Sequence, residues 1–218
     1  MSIRIVDGTK GHAPLVAWVC LAAARSHLPL GFWDYYLDEG EAEVLKYLEI
    51  LTTSARPHLF HHSAFLVAEV SGEPAAALCG YFDEELGYKE LSAAMPETER
   101  ALGRTPAQAE AGMARMSDFL SVTPEHPPRT WIVENVATRP EFRRRGLVDR
   151  LLEVALERGR ARGATLADIG VFIGNDPAQR AYEKAGFSVV SEKRSAELER
   201  AWGSPGIRLL RRPYSRLS

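Results

Sequence analysis

The residues with the clearest chemical potential lie in the C-terminal half of the chain. Arg143-Arg144-Arg145-Gly146-Leu147-Val148 falls between an apolar stretch that reads as a strand and an amphipathic stretch that reads as a helix. The first amides of a helix lack intrahelical acceptors and carry partial positive charge, so such a junction can hold an anion. Gly146 lets the backbone come close to a ligand because it has no Cβ. Arg143, Arg144 and Arg145 add charge-assisted bonds of the kind phosphate oxygens accept. No GK[ST] follows, so the run is not a Walker loop, and it has no G-x-G-x-x-G dinucleotide fingerprint. By itself it fits a solvated basic turn as well as a phosphate loop.

Two further groups could move protons. Glu134 sits in an apolar strand beside Trp131, Ile132, Val133 and Val136. A carboxylate there lines a cleft or is buried at a cost, and burial raises its pKa toward the range of a general base. It fits a structural partner for an arginine equally well. Tyr182 lies in Asn175–Phe187, on one helical face with Ala178, Ala181 and Ala185. A phenol with a pKa near 10 is neutral at pH 7 and can donate a proton. The same spacing fits a core aromatic, and periodicity does not separate the two. His58, His61 and His62 match no ligand pattern and read as a loop before a strand. We expect no metal.

These residues need elements to hold them. Trp131–Thr138 reads as a strand ended by Pro140. From Leu147 to about Ala161, Leu147, Leu151 and Ala155 form one apolar row and Val148 and Leu152 another, with Gly163 as a stop. Thr165–Ile173 reads as a strand. Asp176 is the expected N-cap of a short helix, with Pro177 at N1, Gln179 closing a capping box and Gly186 after its end. Phe187–Val190 begins a further strand, and Ile207–Leu210 reads as the last. Upstream are a strand at Ile3–Val6, helices at Ala13–Arg25 and Glu41–Leu51, and a hairpin of Ala64–Val70 and Ala75–Phe82 about Ser71-Gly72-Glu73-Pro74. Residues 83–128 are polar and Ala-rich; Thr105-Pro106 opens a helix running to about Leu120. This stretch reads as a helical insertion within a single domain spanning 1–218. The order of elements implies an α/β (α+β) fold, a mixed central sheet flanked by helices.

At Asn175–Phe187 the sequence resembles the GNAT superfamily of N-acetyltransferases. That family has an R/Q-x-x-G-x-G/A loop after a central strand, then N-x-x-A-x-x-x-Y-E-K-x-G-F. Arg143 and Gly146 match the first pattern; Asn175, Ala178, Tyr182, Glu183, Lys184, Gly186 and Phe187 match the second, in the same order and spacing. The resemblance covers about Trp131 to Val190. Val148 departs from it, since the family usually has Gly or Ala there, and its branched side chain needs room beside a pyrophosphate.

The resemblance implies acetyl-CoA or another acyl-CoA as co-substrate and a small-molecule or peptide amine as acceptor. Residues 143–148 would hold the pyrophosphate, and Val136, Ala137 and Thr138 would run along the pantetheine arm. Asn175 and Ala178 would contact the cofactor or order the site, and Tyr182 would protonate the departing thiolate. Phe32, Trp33, Tyr35 and Tyr36 would line an acceptor pocket, although the cluster also fits core packing. Glu134 or a water chain would be the base. A non-catalytic acyl-CoA sensor of the same fold is the alternative.

The bulk composition agrees with an ordinary globular protein. Of 218 residues, 45% are apolar and 26% charged, with a formal net charge of −2. That balance gives no basic field for nucleic acid, and the arginine run is short. Cys20 and Cys79 fall in no CxxC or Cys/His spacing, so neither a disulfide framework nor a zinc site is expected. No apolar run suggests a signal or membrane helix. The expectation is a cytoplasmic protein without a nucleic-acid or membrane partner; a homodimer is compatible with it.

Overall fold

The computed structural model describes residues 2–214. In chain order the elements are β1 (Ile3–Asp7), α1 (Ala13–Arg25), α2 (Phe32–Leu37), α3 (Glu41–Leu51), β2 (Phe65–Val70), β3 (Glu73–Phe82), α4 (Asp83–Leu86), α5 (Tyr88–Ala101), α6 (Pro106–Arg115), α7 (Ser117–Ser121), β4 (Thr130–Thr138), α8 (Leu147–Ala161), β5 (Leu166–Phe172), α9 (Asp176–Lys184), β6 (Ser188–Arg194), α10 (Ala196–Trp202) and β7 (Gly206–Pro213). The strands form one seven-stranded sheet in the order β1-β2-β3-β4-β5-β7-β6. β4 and β5 are parallel and every other neighbouring pair is antiparallel.

Period-two burial splits the sheet into two apolar faces. Val67, Ala77, Cys79, Tyr81 and Ile132 face the cluster containing Val16, Val19 and Cys20 of α1 and Val44 and Leu48 of α3. Leu66, Leu78, Trp131, Val133 and Ile169 face the other cluster, with Leu147, Leu151, Leu152, Ala155 and Leu156 of α8. Both apolar rows read from the α8 sequence therefore point at the sheet. A Cβ on Gly159 would stand 2.5 Å from the Trp131 ring, so only glycine lets α8 lie this close over β4.

The β2–β3 hairpin turns through Ser71 and Gly72, with φ of 52° and 90°. Left-handed residues match the strand twist in a two-residue hairpin turn. The 83–128 segment supplies α4 to α7, and Thr105 Oγ1 accepts from the Gln108 amide as the N-cap of α6. The helix expected as far as Leu120 is divided at Met116 between α6 and α7. Leu91, Ala94, Met116 and Val122 of this segment join the α1-side core. Glu99 fixes the segment to α2 and α3, accepting from Tyr36 Oη at 2.8 Å, Tyr47 Oη at 2.9 Å and Arg104 Nε at 2.8 Å.

Three local expectations change. The N-cap of α9 is Asn175 rather than Asp176, because the Asn175 side chain accepts from the Ala178 amide at 3.3 Å. The strand expected to begin at Phe187–Val190 runs over Ser188–Arg194, and an additional helix, α10, follows it. The aromatic run at 32–37 is itself a short helix, α2.

Candidate active site

The site begins where two strands part. Registered pairing of β4 with β5 runs from Thr130 opposite Leu166 to Val133 opposite Ile169 and stops. On its other edge, β4 stays paired with β3 through Thr138, but Asn135 and Val136 together stand against Leu78. This is a β-bulge, which bends a strand and increases its local twist. Asn135 takes φ 53°, a left-handed conformation that asparagine tolerates better than most residues. Beyond the bulge, one backbone edge of Val136, Ala137 and Thr138 faces away from β3 with no β5 partner. The gap opens a cleft of about 520 Å³ lined by these residues, the 143–148 loop, Asn175, Ala178, Tyr182, Glu134 and His126.

At one end lies the 143–148 loop. Arg144 and Gly146 both adopt left-handed conformations, φ 60° and 71°. Alternation of this kind turns successive N–H groups toward a common concavity, a geometry that binds anions. Gly146 is the N-cap of α8 without a side-chain cap. The amides of Arg144, Gly146, Leu147 and Val148 have no hydrogen-bond partner among the described residues. A Cβ on Gly146 would meet nothing within 4 Å, so the space in front of the loop is open. The side chains of Arg143, Arg144 and Arg145 are exposed. Leu147 is buried, and Val148 packs half-buried against the α8 cluster with its amide still free. These groups fit a pyrophosphate, with free donors, positive charge and room.

Tyr182 packs in the α8-side core, while Ala178, Ala181 and Ala185 pack against that core beside it. Its hydroxyl makes no hydrogen bond among the described residues, and the side chain lines the cleft. Burial pushes its pKa up, which keeps the phenol protonated. Asn175 has both ends of its amide engaged. Oδ1 accepts from the Ala178 amide, and Nδ2 donates to Ser26 Oγ at 2.7 Å. It therefore ties the start of α9 to the end of α1 across the cleft.

Glu134 projects from the α1 face of β4, just before the bulge. It accepts from Tyr81 Oη at 3.1 Å and has no arginine or lysine partner among the described residues. Burial raises its pKa; the charge of His126 and the Tyr81 hydrogen bond act the other way. Nearby, Asp168 of β5 is fully buried. It holds Arg211 through Nε and a terminal nitrogen, both at 2.7 Å, and His126 Nδ1 at 2.8 Å. Sequence reading missed Asp168, His126 and Arg211. The one available signal was a lone Asp in an apolar strand, and its partners lie 42 and 43 residues away.

The aromatic cluster separates into two roles. Phe32 lines the cleft, as does part of the buried Trp33. Tyr35 and Tyr36 do not line it. Tyr35 Oη donates to the Ala201 carbonyl at 3.0 Å and its ring stacks on Trp202; Tyr36 Oη donates to Glu99. The Tyr36 ring stacks on Phe32, but these hydrogen bonds anchor the two tyrosines on α10 and α5 outside the cleft. Phe60, Tyr88 and Phe119 complete the aromatic wall instead. His58 is buried, with Nε2 beside Ser54 Oγ and the Leu51 carbonyl, and no group suited to hold a metal occurs among the described residues.

Comparison with known proteins agrees with this geometry. Among solved structures, an acetyltransferase superposes with a TM-score of 0.70 at 20% identity, over 97% of this chain and 100% of the other. An N-acetyltransferase from Staphylococcus aureus Mu50 gives 0.66 at 17% identity, over 96% of this chain and 100% of the other. A polyamine N-acetyltransferase of Drosophila melanogaster, which forms N-acetylagmatine, gives 0.55 at 16% identity, over 98% and 100%. At such identities the likeness establishes the fold. A comparison with curated protein sequences finds no match. The model of the acetyltransferase (GNAT) family matches residues 31–187, most of the chain and all of the loop, bulge and Asn175–Phe187 features described above. With that match, the split sheet and its phosphate-ready loop have an identity: the chain belongs to the GNAT acetyltransferase family.

Proposed function

We propose that this protein transfers an acetyl or similar acyl group from acyl-CoA to a primary amine, by direct attack within a ternary complex. The observation that carries the reading is the continuity of one cleft. Free loop amides stand at one end, an unpaired strand edge follows, and an unbonded Tyr182 hydroxyl and Glu134 lie within it. The loop would take the pyrophosphate, and the Val136–Thr138 edge would pair with the pantetheine amides as an added strand does.

The amine must reach the thioester neutral, and a lysine-like amine with a pKa near 10.4 arrives protonated. Glu134, held basic by burial, accepts that proton. Tyr182, kept protonated by its surroundings, donates to the departing thiolate. At the acceptor end the wall is aromatic, with Phe32, Phe60, Tyr88 and Phe119, and Glu134 is the one carboxylate among the lining residues there. This favours an amine carried on an apolar or aromatic body over a polyamine. Cys20 and Cys79 are both free and buried, in keeping with a cytoplasmic location.

The test is thiol release from acetyl-CoA across a panel of arylalkyl amines, amino acids, polyamines and peptides. Turnover is expected on the aromatic monoamines. Tyr182→Phe should lower it about 10²-fold, the scale of general-acid catalysis, with CoA binding retained in calorimetry. Unchanged turnover in Tyr182→Phe removes the general-acid role. Tight CoA binding without turnover on any amine identifies a non-catalytic acyl-CoA sensor instead.

A further inference from the structure

We propose that His126 is a proton-relay residue for this transfer, passing the proton that Glu134 takes from the acceptor amine on to solvent. The inference rests on the N-acyltransferase reading above. His126 belongs to the segment before β4 and lines the cleft, with 15% of its side chain exposed. Its Nδ1 meets Asp168 Oδ2 at 2.8 Å. An ionised carboxylate only accepts, so Nδ1 must carry the hydrogen. In the neutral ring, Nε2 is then a bare acceptor, and it has no hydrogen-bond partner among the described residues.

The orienting group is itself fixed. Asp168 is fully buried, and the Arg211 fork occupies both of its oxygens at 2.7 Å. A carboxylate so held fixes the imidazole tautomer and stabilises the imidazolium when it forms. Arrangement of the sheet brings the pair close to Glu134. Asp168 is registered opposite Ile132, and Glu134 is the next residue on the same face of β4. His126 and Glu134 line the same cleft. Other charged groups around His126 are Glu125 and Arg129 on its own segment and Lys193 of β6, whose Nζ donates to the Thr123 carbonyl at 2.8 Å. Arg211 and Asp168 face it from β7 and β5.

The proton balance requires such an exit. An ammonium loses two protons as it becomes an amide, and the leaving thiolate takes up one. The second must reach water from a half-buried carboxylate. Glu134 accepts it from the amine; His126 Nε2 takes it from Glu134; the imidazolium, held by Asp168, releases it at the exposed edge of the cleft. Imidazole suits the step because one ring nitrogen can accept a proton while the other keeps its hydrogen on a carboxylate.

The test compares pH–rate profiles of wild type, His126→Gln and Tyr182→Phe, using acetyl-CoA and the best amine from the panel. His126→Gln should lower kcat about 10–100-fold at pH 7, displace the acid limb of the profile and regain part of its rate with added imidazole. Tyr182→Phe should lower the rate without displacing that limb. In the unliganded protein, ¹⁵N chemical shifts should show Nδ1 of His126 protonated and Nε2 bare. A His126→Gln enzyme with the wild-type rate and profile overturns the relay while leaving the N-acyltransferase reading intact. A slower enzyme with an unmoved limb and no imidazole rescue assigns His126 a structural role and also overturns it. Wild-type protein inactive on every amine would bring down both proposals.

Discussion

Glu134 and Asp168 occupy neighbouring strands on one face of the sheet, yet their surroundings drive them in opposite directions. Both lose water, which favours the protonated form. Asp168 recovers more than it loses, because the Arg211 fork and His126 donate to it, and its pKa falls. Glu134 has a single phenol hydrogen bond and no cationic donor among the described residues, and its pKa rises. One carboxylate is favoured as the anion and the other toward its protonated form. Where two titratable groups are pushed apart in this way, their roles can be read from their environments. Linkage gives the matching stability signs. The depressed pKa of Asp168 contributes stability above about pH 4 that is lost as pH falls. Any contribution from the raised pKa of Glu134 is present below about pH 4 and is lost as pH rises through its folded value.

The sharpest way to break this contrast is to exchange the fates of the two groups. Asp168→Ala leaves Arg211 without its partner beside the core and should cost about 3–5 kcal/mol in urea denaturation at pH 7. A loss below about 1 kcal/mol would mean that the buried pair holds nothing together. Glu134→Gln should do the reverse. Its melting temperature should not fall, while kcat/KM drops about 10²–10³-fold, roughly 3–4 kcal/mol of barrier. A variant as active as wild type would return the base to a water chain.

A pH titration of stability separates Asp168 from two other buried groups. Burial lowers both His58 and His61 to about 4, from the usual 6.5. Their unfolded forms bind protons first as pH falls, so stability is full above about 6.5 and declines toward 4. Denaturation between pH 7 and pH 5 should show a loss of about 2–4 kcal/mol, before Asp168 begins to protonate. A flat profile over that range would show that the two imidazoles take up protons while folded. The smallest effect expected is at the loop. Gly146→Ala should cost about 1 kcal/mol of stability because φ is 71°. It should weaken CoA binding about 10-fold in calorimetry, since the new methyl enters the space before the free amides. Unchanged CoA affinity would move the pyrophosphate elsewhere.

Much of the frame was readable along the chain. The helices at Ala13–Arg25 and Glu41–Leu51 coincide with α1 and α3. Ser71-Gly72 marked the hairpin, and the two apolar rows of α8 both reached the core. Where reading fell short, a competing effect was at work. Pro96 lies inside α5 and argues locally against a helix. β6 is exposed along its whole length at the sheet edge, so no alternation marks its extent. Tyr35 and Tyr36 share a cluster with Phe32, but hydrogen bonds to the distant Ala201 and Glu99 decide that only Phe32 of these three lines the cleft.

Sequence alone determined the elements and the local chemistry: a strand, a glycine-turned basic loop and an amphipathic helix, then a short helix carrying Tyr182. These depend on spacing within a few residues, which propensity and periodicity report. Tertiary structure decided what each group does. The bulge at Asn135 parts β4 from β5, and strand order places Arg211 and His126 on Asp168 while leaving Glu134 with Tyr81. A pKa is set by the dielectric and charges within a few ångströms. In this fold those neighbours come from tens of residues away, so the company Glu134 keeps, a phenol rather than an arginine, was not legible along the chain.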